Sequence, residues 1–333
     1  MHGVHKFLLR FNWYRRFLEW TKVIVLPGFG SLPIYTIATF FFQEISKDSL
    51  LSKASSLAYN FMLAIFPAII FIFTLIPYMP IEHFQDQLLS LIQPAFPNSA
   101  YITLKSTLED IIKNQNGGLL SFGFFAALFF STNGVHHLMQ AFNKSSLQIE
   151  SRTWLIQRLV SLTLTLLIVF ALIFGLTIIT AGEFIISFLE GELKFNAAFW
   201  AWLIRIVRWT ILVIMYFVTI SLLYRYGPAN AKKWRFFSAG SWLATILAVL
   251  TFWGFGFYIN NFGTYNKIYG SIGTLIVLMI WLYLNSLIIL LGFELNASID
   301  LSKRSIKIVK PKFNTFKSQE PEESLQKNRL HRS

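Results

Sequence analysis

Long uncharged runs separated by short charged connections dominate the chain from residue 54 onward. Residues 54–81, 114–143, 159–182, 209–224, 236–266 and 268–293 contain no Asp, Glu, Lys or Arg. A hydrocarbon core roughly 30 Å thick needs about 20 helical residues. Each run therefore predicts a helix able to cross a membrane. The fourth is short, but Trp200–Arg208 can extend it, because an arginine near a span end reaches back to the interface. The expected spans are about 55–79, 119–142, 159–186, 202–224, 236–260 and 270–298, preceded by an interfacial region 1–53 and followed by a basic, disordered tail 301–333. The fold class is an all-α membrane protein, a six-helix transmembrane bundle.

The last run is not uniformly apolar. At 100° per residue Ser271, Thr274, Asn285, Gly292 and Asn296 fall in one stripe, which predicts a face turned to other helices or to an internal cavity. Pro67 and Pro77 in the first run predict a kinked helix with freed carbonyls. Gly175, Gly254 and Gly256 are expected at close helix contacts or bends.

The connections carry their own patterns. Residues 1–22 form a basic, aromatic stretch with the character of an amphipathic helix lying on a membrane surface. Residues 23–43 are uncharged, yet Pro27, Gly28, Gly30 and Pro33 interrupt them, so only Ile34–Phe42 is expected to be helical, along the interface. Between Ile81 and Gly118, two segments of helical periodicity flank Pro94 and Pro97, predicting short amphipathic helices on the outer face.

Charge sets the orientation. Lys and Arg in the N-terminal region, the second-to-third loop, the fourth-to-fifth loop and the tail number 23, against six in the alternate connections. Under the positive-inside rule both termini are then cytoplasmic. The net charge of +13 is explained by the same bias, so no nucleic-acid partner is expected. The expected partners are membrane lipids, with anionic head groups at the cytoplasmic face drawing the basic tail; self-association is left open. With 14% charged residues against 55% hydrophobic, the composition departs from that of a soluble domain. The absence of cysteine removes disulfides and thiolate chemistry.

Several strings occur together in order: Ala54-Ser55-Ser56-Leu57-Ala58-Tyr59 with Phe66-Pro67, Ala141-Phe142-Asn143, Arg152 to Arg158, Tyr269-Gly270-Ser271-Ile272-Gly273, Trp281-Leu282-Tyr283, and Leu291-Gly292-Phe293-Glu294-Leu295-Asn296-Ala297. Over roughly residues 30–300 the chain resembles the YihY/BrkB family of bacterial inner-membrane proteins, once labelled "ribonuclease BN". The resemblance implies a six-helix bundle in the plasma membrane and brings no agreed reaction or catalytic residues. Phe293 stands where that family more often has alanine, which implies different local packing beside Glu294.

Candidate site residues follow from polar groups inside apolar runs. Asn60, Asn133, His137, Asn285, Gly292, Glu294 and Asn296 are the candidate lining of an internal polar cavity built from the first, second and sixth spans. Asn133, His137 and Gln140 share a helix face, with the adjacent His136 about 100° away from His137, a disposition that suits a hydrogen-bonded helix interface. Glu294 reads either as a coupling carboxylate or as one that snorkels to the interface or pairs with a base such as Lys303. Glu183, Arg205 and Arg208 flank the third-to-fourth turn and are a candidate outer ion pair or an anion-binding vestibule.

No P-loop, GxSxG, HExxH or HxHxDH string occurs. No catalytic residue, metal or cofactor is expected. Two roles fit: transport, export or lipid handling through an internal polar surface, or a non-transporting scaffold for cell-envelope assembly.

Overall fold

The computed structural model describes residues 12–24, 33–47, 50–78, 114–192, 197–229, 236–262 and 271–309. Their regular structure is helical: α1 (Asn12–Val23), α2 (Ile34–Lys47), α3 (Leu50–Leu75, closing in a 3₁₀ turn Ile76–Tyr78), α4 (Gly117–Ser145), α5 (Trp154–Glu192), α6 (Ala197–Tyr226), α7 (Ala239–Phe262) and α8 (Ser271–Val309). The expected outer helices between Ile81 and Gly118 lie outside the described residues up to Lys113.

The chain divides into two compact units, Met1–Phe42 with Ala297–Ser333, and Gln43–Asn296. In the first, Ile34 N–H bonds the Ile24 carbonyl (3.0 Å) and Lys22 Nζ sits over the Tyr35 ring (5.4 Å), tying the end of α1 to the start of α2. Arg16, Glu19, Trp20 and Val23 are exposed on α1.

The second unit is the helical bundle. Among the described residues six helices are long and apolar enough to cross a membrane: Leu50–Tyr78, Gly117–Ser145, Trp154–Gly182, Trp202–Tyr226, Ala239–Ile259 and Gly273–Lys303. Helices are the natural solution there, since hydrocarbon offers backbone groups no partner. The hydroxyls follow the same logic: Thr74, Ser131, Thr163, Thr165, Thr210 and Thr219 each donate to the carbonyl four residues earlier. Pro67 is accommodated inside α3, which stays helical to Leu75.

Close approaches occur where side chains are smallest. A Cβ on Gly123 would stand 2.9 Å from the Phe71 backbone, and one on Gly134 3.0 Å from the Phe61 ring, so α3 and α4 meet along a glycine seam. Gly175 admits Met215 and Gly182 the stem of Arg208 between α5 and α6. At Gly254 and Gly256 no close helix contact is found: among the described residues nothing lies within 4 Å of either Cβ position. They sit on the surface of α7 that presents Trp253 and Phe257 outward, 75% and 67% exposed, a surface suited to acyl chains rather than to water. Finally, α8 runs on to Val309, beyond the expected end of the span near 298.

Candidate functional site

Two polar constellations occupy the bundle. The first gathers at the end where α4 gives way to α5 and α6 to α7. Here α4 closes in a Schellman motif, with Gln148 N–H on the Asn143 carbonyl (2.9 Å) and Leu147 N–H on Lys144 (3.2 Å). Leu147 takes the left-handed position (φ 50°) that this motif usually gives to glycine. The turn then delivers Glu150 to Asn143, whose Nδ2 donates to Oε2 at 2.7 Å. Arg152 clamps the same carboxylate through Nε (2.7 Å) and Nη2 (2.7 Å) and donates through Nη2 to the Gly227 carbonyl (2.9 Å). It thereby caps α6, whose final carbonyls have no partner of their own. The bonds from Arg152 hold the Glu150 carboxyl below the usual carboxylate range.

The next turn is tied from both sides. Asn143 Oδ1 accepts Ala229 N–H at 2.7 Å. Ser238 caps α7 by accepting Ser241 N–H (3.1 Å), and Asn296 on α8 adds a second cap, accepting Gly240 N–H (2.8 Å) and donating to Ser238 Oγ (2.9 Å). Helices α7 and α8 cross at Gly240 and Gly292: a Cβ on Gly240 would strike the Gly292 carbonyl, and one on Gly292 the Tyr224 hydroxyl. Tyr224 Oη donates to the Ile289 carbonyl (2.7 Å), and Phe293 stacks on Phe142 with centroids 4.1 Å apart. Phe293 is 0% exposed, so the aromatic ring where alanine was the family expectation fills the space between α4, α6 and α8.

The second constellation lies across α3, α4 and α5. Asn60 Oδ1 accepts Asn133 Nδ2 at 3.5 Å, and Asn133 Oδ1 accepts Arg158 Nη1 at 3.4 Å. The Arg158 guanidinium lies 5.9 Å from the Trp154 ring. One turn along α4, His136 Nε2 pairs with Gln140 Nε2 (3.1 Å), while its Nδ1 is buried with no hydrogen-bond partner. All three residues of the chain Asn60–Asn133–Arg158 are half-buried.

The expected lining therefore splits. Asn60 and Asn133 meet, as a shared surface of the first two spans requires. Gln140 pairs with His136 rather than with His137, because four residues is the spacing that brings their tips together. Gly292 and Asn296 belong to a closed helix crossing, not to a cavity wall. Asn285 is half-buried and donates to its own helix at Trp281 O (2.8 Å), whereas Thr274 is exposed. Glu294 is 1% exposed, so it does not snorkel to an interface. Arg205 is exposed; Arg208 reaches across the α5–α6 hairpin to the Ile179 carbonyl (3.5 Å); the side chain of Glu183 lies outside the described residues. Among the described residues no three His, Cys, Asp or Glu gather as metal ligands.

A family model described as Virulence factor BrkB matches residues 41–312. The chain belongs to this family. It is a multi-pass membrane protein, and both constellations fall within the matched residues. A Bacillus subtilis (strain 168) relative named ribonuclease-like protein YfkH is 36% identical over 256 residues, covering 76% of this chain and 91% of its own length. A UPF0761 membrane protein of Xanthomonas campestris pv. campestris (strain B100) is 29% identical over 265 residues, covering 78% of this chain but only 60% of its own length. Another, from Xanthomonas axonopodis pv. citri (strain 306), is 28% identical over the same length. No solved structure matches the chain. Three of the strings quoted above converge on one place: Phe142-Asn143, Arg152, and Gly292-Phe293 with Asn296 all meet at the α4–α5/α6–α7 end. Sequence reading did not anticipate Glu150, Tyr224, Ser238 or Gly240 as their partners, nor Arg158 as the partner of Asn133. Those pairings cross between helices, and periodicity along one helix carries no information about them.

Proposed function

We propose that this BrkB-family protein carries a polar or amphipathic solute, or handles lipid, along the polar surface shared by α3, α4 and α5. The observation that supports this reading is the Asn60–Asn133–Arg158 chain: a guanidinium and two carboxamides facing one another between apolar helices. Ionisable groups among spans are costly and usually mark a solute or ion path. The proposed lining is Asn60, Asn133 and His137, with Asn285 from α8. The proposed setting is the plasma (inner) membrane with both termini cytoplasmic, on the strength of the 23 to six bias in basic residues. The role is non-enzymatic, despite the ribonuclease-like name of the B. subtilis relative.

Proteoliposomes test this. Translocation of head-group-labelled phosphatidylglycerol, read by dithionite quenching, and release of trapped inorganic phosphate should exceed protein-free vesicles in at least one assay. Arg158→Gln and Asn133→Leu should abolish that excess. Rates equal to empty vesicles in both assays would instead favour the competing role, a scaffold working through the exposed basic helix α1.

A further inference from the structure

Arg152 and Arg158 stand near the start of the same helix and are treated in opposite ways. Arg152 is neutralised by Glu150 and its remaining donors end on the carbonyls of α6. Arg158 has no carboxylate bridging it among the described residues, and its hydrogen bonding there is one contact of 3.4 Å to a neutral amide. A guanidinium presents five N–H donors in a rigid fork. Most of that fork is therefore open.

The direction of the side chain matters as much. Ser161 Oγ touches Met139 Sδ (3.2 Å), which fixes the level of α5 against α4. Asn133 lies about 9 Å deeper along α4 than Met139, at 1.5 Å per residue. Arg158 precedes Ser161, so its guanidinium must turn inward along the bundle to meet Asn133. An arginine with nothing to bind would be expected to extend the other way, toward the helix start and the interface. On α4 beside Asn133, whose Nδ2 already donates to Asn60, His136 pairs through Nε2 with Gln140, and the Nδ1 of the same ring, 9% exposed as a residue, is buried without a hydrogen-bond partner. The flanking surface is apolar and open, with Trp154 and Leu155 each 69% exposed and Tyr59 58%.

We infer that Arg158, with Asn133 and the His136–Gln140 pair, binds a phosphate oxyanion, supplied by a phospholipid head group or by free phosphate. One cation with no bridging carboxylate among the described residues, next to a neutral amide and an unbonded imidazole nitrogen, matches the single negative charge of a phosphodiester. The fork geometry matches two of its oxygens, and the exposed apolar rim suits attached acyl chains. The inference deepens the transport reading by naming the chemistry its polar surface selects, but it concerns binding and can fail or hold separately.

The experiment measures binding by calorimetry on the full chain in detergent. The probes are dihexanoyl-phosphatidylglycerol, inorganic phosphate and decanoate. The wild type should bind the short-chain lipid; Arg158→Gln should weaken it about tenfold or more and Arg158→Lys by less, the ranking expected when a charged fork is lost or reduced to a point charge. Asn133→Asp is the control that preserves folding: it places a carboxylate on the same guanidinium, so thermal stability should hold or rise while binding disappears. Competition by inorganic phosphate at comparable concentration assigns the site to free phosphate; failure to compete at a large excess assigns it to the lipid head group, and both support the inference. Unchanged affinity in Arg158→Gln or Asn133→Asp overturns it, and decanoate binding with the same dependence on Arg158 overturns the choice of phosphate. Binding without flux would sustain the site and sink the transport reading; flux that survives Asn133→Asp would do the reverse.

Discussion

The Asn143–Asn296 end of the bundle and the Asn60–Asn133–Arg158 face use the same residue types to opposite effect. At the first, each asparagine is engaged through both its oxygen and its nitrogen at 2.7–2.9 Å, and the arginine sits on a carboxylate. At the second, the contacts between helices are 3.4 and 3.5 Å, long for hydrogen bonds, and the arginine keeps an open fork. Polar groups between spans are therefore not one class. Short bonds around a paired arginine mark a joint of the fold, whereas long contacts between helices around an arginine with an open fork mark a surface arranged for something else. The comparison predicts that stability resides in the first region and selectivity in the second.

The strongest way to break that division is to open the joint. Gly240→Val places a branched side chain where a Cβ already meets the Gly292 carbonyl and Asn296. The neighbour is backbone, so little can yield. A loss of about 3 kcal/mol or more is expected, at or above the usual range for overpacking. Thermal unfolding in detergent should show a large fall in midpoint, or no folded protein. A midpoint near wild type would mean that α7 and α8 do not cross there.

A smaller effect is expected from Arg152→Ala, which strands Glu150 and removes the cap on Gly227. The loss should be about 1–3 kcal/mol, the usual cost of leaving a partly buried polar group unpaired. The pH dependence sharpens this. Glu150 has a folded-state value below its ordinary one because of Arg152. Its contribution is therefore fully present above the ordinary carboxylate range and is lost as pH falls through the depressed value. Wild type should lose stability on acidification through that window, and Arg152→Ala should lose less. Equal acid sensitivity in the two would detach Glu150 from the clasp.

Asn133→Leu should cost less still, about 0.5–1 kcal/mol, since it removes only weak bonds. Yet it should remove the flux proposed for the α3–α4–α5 surface. Asn296→Leu is the mirror test: about 1–3 kcal/mol of destabilisation, because Gly240 N–H loses its acceptor and Ser238 one of its partners. Reversed outcomes at these two asparagines would invert the assignment of joint and site.

These contrasts explain what the sequence could disclose. The spans were legible because hydropathy over some twenty residues is a property of one segment. The stripe on α8 was legible as a stripe, but not its use: Thr274 is exposed, Asn285 bonds its own helix, and Gly292 and Asn296 close a crossing. Helical spacing states which residues share a face and not what that face meets. Arg158 immediately precedes the uncharged run 159–182 and so reads as a loop charge; only the register of α5 against α4, seen at Ser161 and Met139, turns it inward. Glu294 lies close to the expected end of its span, which points to an interface, yet it is 1% exposed, because burial depends on neighbouring helices that the spacing along one helix does not report.

The smallest expected effect runs in the opposite direction and probes why the joint holds its shape. Leu147 is 72% exposed and occupies the left-handed region without a packing reason for its side chain. That conformation costs roughly 1–2 kcal/mol for a residue with a Cβ. Glycine removes the cost but loses more freedom on folding, about 0.5–1 kcal/mol. Leu147→Gly should thus stabilise the protein by a net of about 0.5–1 kcal/mol. The two carbonyl bonds of the Schellman turn, and the approach of Glu150 to Asn143, should be kept. A rise of a degree or two in unfolding midpoint, with the acid sensitivity assigned to Glu150 unchanged, is the expected result. A fall would mean that Leu147 is held by contacts its exposure does not reveal. Unaltered stability with lost acid sensitivity would mean that the strained turn itself presses Glu150 onto Arg152, and that strain is then part of the clasp rather than a cost it tolerates.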